Sequence, residues 1–167
     1  MNFYLKKKKY KNYIKKNYIK LMGCCTSQFT DSELENAETL QEVISVMKKR
    51  SEDLEKEKDE INEHLKDPSK EVTFVRIDDL TQEDLERRVP YLEKLHEAYE
   101  DVIKTMENVD LPVEETKQHL INIMSNHLIS YDLSEKYRND VAKFKQFAFE
   151  NEKRLTEGFT KPLHNDS

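Results

Sequence analysis

Between Ala37 and Leu65 one row of positions falls three and four apart without a slip, apolar at Ala37, Leu40, Ile44, Met47, Leu54, Ile61 and Leu65, with Ser51 and Lys58 on the two remaining places. A strand would alternate every second residue, whereas a period near 3.5 puts these side chains on one stripe of a helix. Such a stripe has to be covered. The cover is either another chain, as in a coiled coil, or a long antiparallel neighbour in the same chain, and the pattern fits both.

The rest of the chain supports an all-α reading. Charged residues make up 37% of the 167 positions, there are only two glycines and four prolines, and Trp is absent, a balance that favours long helices over sheets and turns. Thr30 and Glu33 have the spacing of a capping box, so one coiled-coil-like helix is expected over 32–66. Next to acidic residues, Thr30 and Ser32 also suit phosphorylation, but capping is the preferred reading. Asp67 and Pro68 end that helix, because proline disfavours a helical residue before it. The only β-like run, 72–77, lies in a stretch, 67–80, that is expected to be an extended linker packed on the bundle. Pairing with a partner's sheet edge or a second copy is the alternative.

A helical bundle is expected over 81–159. Its first helix opens at Thr81 and carries Leu92, Leu95, Tyr99, Val102, Met106 and Val109, with Pro90 expected to kink it or split off a short piece. After the break at Asp110, Leu111 and Pro112, a helix over 113–130 buries Leu120, Ile121, Met124 and Leu128. The last helix, capped by Asp132 or Ser134, carries Tyr137, Val141, Phe144, Phe147, Ala148 and Leu155, and Gly158 suits a left-handed C-terminal cap. Residues 160–167 read as a disordered tail.

Two sets of residues are candidates for binding a protein partner, including a second copy of the chain. One is the seam of the first helix: Leu40, Ile44, Met47 and Leu54. The other lies in the aromatic cluster of Tyr131, Tyr137, Phe144, Phe147, Phe149 and Phe159, whose first use is core. Phe144, Phe147 and Phe149 cannot share one helix face, so at least one is expected to be exposed.

Catalytic chemistry has no obvious seat. With glycines only at 23 and 158, neither a P-loop nor a dinucleotide fingerprint can be written, and no calcium loop is present. Of the histidines at 64, 96, 119, 127 and 164, His119 lies four residues after Glu115 on one helix face, with His127 two turns on. That set lacks the HExxH pattern and a closed shell of three or four ligands. A non-enzymatic chain without metal or cofactor is expected.

The strongest functional signal is Met22, Gly23, Cys24, Cys25, Thr26 and Ser27, which from Met22 satisfies the pattern for N-myristoylation at Gly23. One myristoyl chain binds membranes marginally, and palmitoylation of Cys24 or Cys25 supplies the second signal that stable anchoring needs. The preceding residues 1–21 hold eight lysines and no acid, and their Lys, Asn, Tyr and Ile content is that of AT-rich codons, so Met22 is expected to be the biological start. If translated, that leader reads instead as a basic arm for anionic surfaces or, less readily, nucleic acid. Removing its eight lysines from the net charge of −6 leaves −14 for residues 22–167, a body that an anionic leaflet repels. The only two cysteines are adjacent and cannot staple the fold, which suits a reducing, cytoplasmic setting.

Residues 22–28 resemble the N-termini of dually acylated peripheral membrane proteins, among them small inner-membrane-complex and glideosome proteins of gliding parasites. The resemblance implies acylation of Gly23 and of Cys24 or Cys25, within an anchor segment 22–31. It also implies attachment to the cytoplasmic face of the plasma membrane or the inner membrane complex. The reading overall is a lipid-anchored adaptor or scaffold, with a soluble helical protein using a basic arm as the alternative.

Overall fold

The computed structural model describes residues 31–74, 80–125 and 136–160, with side chains as far as 157. These residues form five helices: α1 (Ser32–Asn36), α2 (Leu40–Lys66), α3 (Gln82–Asn108), α4 (Val113–Ser125) and α5 (Lys136–Thr160). The protein is all-α, and no strand occurs among the described residues.

The long seam closes within the chain. α2 and α3 pack side by side as an antiparallel hairpin, since Lys48 meets Glu107 (2.6 Å), Ser51 meets Glu100 and Glu57 meets Arg88. On the facing stripes Val43, Ile44, Met47, Leu54 and Ile61 are buried against Leu85, Leu92, Leu95, Tyr99, Val102, Ile103 and Met106. The seam of α3 expected from the spacing is buried as far as Met106, with Val109 partly buried at its end. Beyond Leu54 the buried positions of α2 become Glu57 and Ile61, and Lys58 drifts to the edge.

The helix expected over 32–66 is in fact two. Ala37, with ψ near 128°, breaks the helical path, and two separate caps explain why. Asp31, not Thr30, caps α1 by accepting from the Leu34 amide. Thr39 and Glu42 form a complete capping box that starts α2 afresh. The break lets α1 fold back on α2 and bury Leu34 fully. Three further contacts hold it: Asp31 to Arg50, Glu33 to Lys49 (3.0 Å), and the Glu35 carbonyl accepting from Lys117 Nζ on α4 (3.0 Å).

After α2 the chain doubles back as an extended strap. The Lys70 carbonyl meets His64 Nδ1 at 2.7 Å, and Thr73 donates from its amide (2.7 Å) and hydroxyl (2.9 Å) to Glu60. Residues 71–74 are neither helix nor strand, and the remainder of the β-like run lies outside the described residues. α3 opens with the Thr81–Asp84 capping box and runs unbroken through Pro90, which is exposed. α5 lies along α3, with Lys145 paired to Asp101, and also packs on α4. It continues through Gly158 to Thr160, so that glycine is not its cap. Leu128, Tyr131, Asp132 and Ser134 fall outside the described residues.

Candidate functional site

The acylation motif at Gly23, Cys24 and Cys25 lies outside the described residues, as do the leader and the 160–167 tail beyond Thr160. The closest described position is Asp31, the α1 cap, eight residues after Gly23.

The two partner-binding sets are divided by the fold. Ile44, Met47 and Leu54 are buried in the hairpin, and Leu40 packs half-exposed against the same core, so this seam is not open to a partner while the hairpin is closed. Phe144 is fully buried; Phe147 is half-buried and stacked on His119, with ring centroids 4.6 Å apart; Phe149 is 60% exposed. The expected disagreement among the three phenylalanines is therefore met by Phe149. Leu155, placed on the buried stripe by its spacing, is exposed as well, because residues 152–157 of α5 bury no side chain.

His119 serves packing. Burial beside Phe144 and Phe147 holds its imidazole below the ordinary histidine value, although Glu115 and Asp140 pull the other way. Among the described residues no three His, Cys, Asp or Glu side chains gather into a metal-holding group, and no described helix is long and apolar enough to cross a membrane.

Sequence reasoning missed the polar layers inside the hairpin. Ser51, only 1% exposed, donates its hydroxyl proton to Glu100 Oε1 at 2.6 Å. His96 Nδ1 lies 2.9 Å from Ser51 Oγ and 3.2 Å from the Ser51 carbonyl, and its Nε2 lies 3.6 Å from Glu55. A carbonyl only accepts and the hydroxyl proton is engaged by Glu100, so Nδ1 carries a proton in this arrangement. Serine beside histidine beside a carboxylate has the composition of a hydrolytic triad. Here the serine is sealed between two helices and faces a second carboxylate, so the group ties α2 to α3. Nearly two turns on, Glu57, only 2% exposed, pairs with Arg88 across the same interface. The clue in the sequence was Ser51 standing on a seam position; Glu57 lay off the stripe and gave none.

Two concavities remain. An open groove of about 480 Å³ between α3 and α5 is lined by apolar Ala98, Tyr137, Val141 and Ala142 and by charges of both signs, Lys94, Arg138 and Lys145 with Glu97 and Asp101. A cavity of about 240 Å³ lies where the strap crosses the hairpin, walled by Leu54, Phe74, Tyr99 and Met124, with Asp31, Arg50, Asp53 and Glu57 around it. There Arg50 grips Asp31 with two hydrogen bonds, Nε to Oδ2 (2.8 Å) and Nη2 to Oδ1 (3.1 Å). Burial alone would raise the Asp31 carboxyl, but Arg50 and the Leu34 amide outweigh it and hold the group below its ordinary value.

Compared with models of known protein families, with curated proteins and with solved structures, the chain matches none.

Proposed function

We propose that this chain is a non-enzymatic adaptor, tethered by acyl groups at Gly23 and at Cys24 or Cys25 to the cytoplasmic face of a membrane. There it recruits protein partners through its helical body. The observation that carries the reading is the run Met22, Gly23, Cys24, Cys25, Thr26, Ser27, in which a myristoylation pattern and both cysteines of the chain coincide. Charge supports it: a body of −14 has no electrostatic reason to stay at an anionic leaflet, so lipid has to hold it. For the partner-facing surface, Phe149 and the α3–α5 groove replace the hairpin seam, which the chain covers itself.

Mass spectrometry of the native protein's N-terminal peptide tests the tether. An acylated Gly23 peptide is the expected result. A peptide containing Met1 or Asn2 overturns co-translational myristoylation, and the eight lysines of 1–21 then favour a basic arm for anionic surfaces. As a second arm, Gly23→Ala is expected to move the protein from the membrane to the soluble fraction, and unchanged fractionation counts against the tether.

A further inference from the structure

Tyr99 is a buried tyrosine on the α3 face that meets α2. The residue is 2% exposed, and its hydroxyl makes no hydrogen bond among the described residues. Buried tyrosine hydroxyls are normally paired, so this one keeps the capacity to hydrogen-bond a ligand group. The ring is part of the wall of the 240 Å³ cavity, and the hydroxyl feels the charges of Arg50 and Asp31, which line the same space. Apolar cavities of about 150 Å³ accept a benzene ring, so this one has room for a ring with a short tail.

The charges around the cavity select the head group. Arg50 is engaged by both oxygens of Asp31, and Glu57 is engaged by Arg88. Asp53 approaches Arg50 only at 3.9 Å, too far for a hydrogen bond. The charge left with acceptor capacity is therefore a carboxylate, which repels an anion and attracts a cation. The rings of Phe74 and Tyr99 add faces suited to a cation.

We propose that this cavity binds a small primary amine with an apolar body of about aromatic-ring size, its ammonium donating to Tyr99 Oη and to Asp53, and its body lying against Leu54 and Met124. The strap residue Phe74, held in place through the Thr73–Glu60 hydrogen bonds, forms the outer wall. The site is independent of the acyl tether.

Calorimetric titration of the full chain with 2-phenylethylamine, 2-phenylethanol and phenylacetate tests the proposal. The amine is expected to bind saturably, the alcohol more weakly and the acid least. Tyr99→Phe and Asp53→Asn are each expected to weaken the amine about tenfold or more, the range for a hydrogen bond to a charged group. Absence of saturable amine binding, equal binding of phenylacetate, or unchanged affinity in both variants overturns it. Tyr99→Phe also answers without ligand. Removing this hydroxyl should leave the Tm equal or raised, and a fall of several degrees would show that the hydroxyl has a partner.

Discussion

Glu57 and Arg88 are the residues whose removal is most asymmetric. Deleting Arg88 alone leaves a carboxylate buried without its counter-charge, and losses of about 3–5 kcal/mol are usual for such a break. Arg88→Ala is therefore expected to lower stability by about that amount in urea unfolding, whereas replacing both partners by leucine should recover most of the loss. At His119 the direction of pH dependence follows from its environment. Burial against the phenylalanines lowers its value in the folded state, so the neutral ring is the form the fold accepts. Its contribution is complete above the ordinary value of 6.5 and is lost as pH falls through the lower folded value. Thermal melts between about pH 7.5 and 4.5 should show the parent losing Tm in this range. His119→Gln should flatten the part due to this ring.

At the scale of elements, caps and breakers decide where helices begin and bend. Thr39→Ala removes one half of a capping box and is expected to cost about 1 kcal/mol, read as a lower urea midpoint with an unchanged slope. Pro90 sits in the middle of α3, where it denies the Glu86 carbonyl its usual donor. Because the position is exposed, Pro90→Ala should raise stability by up to about 3 kcal/mol. The same elements show how far the sequence could be read. The spacing of apolar residues located α2 and α3 and named most of their buried stripes, because burial of one face imposes that period; Val43, Leu85, Tyr91 and Ile103, which stand beside the three-and-four rows, were not named. Thr81 was legible as a cap because acidic Asp84 follows it three positions on, at capping-box spacing. The end of α1 was not legible, since Asp31, Thr30 and Thr39 are all competent caps and only packing of Leu34 chooses among them. Gly158 was misread for the opposite reason: a helix can continue through glycine at a cost of about 1 kcal/mol. Of the binding surfaces, exposure of one phenylalanine followed from helix geometry. The Tyr99 cavity did not, because it is assembled from five separated segments.

For the molecule as a whole, the decisive result is that one chain covers its own seam. Met47→Ala should lower stability by about 2–5 kcal/mol, as truncation in a packed core does. Its melting temperature, like that of the parent, should not change with protein concentration. A concentration-dependent Tm would instead mean that seams of different chains meet.

The hairpin also has a bearing on the order in which the molecule assembles. α2 and α3 are neighbours along the chain, so their pairing closes a short loop and carries a small entropic penalty. Local pairings of this kind form early and fast, and in native-state hydrogen exchange they tend to open last. The two polar rungs, Ser51 with His96 and Glu100, and Glu57 with Arg88, admit only one alignment, because sliding either helix by a turn would set a carboxylate against leucine. Speed and fidelity thus reside in the same pair of helices, and residues 152–157 of α5, whose side chains are exposed, are expected to be the first to trade their protons with water.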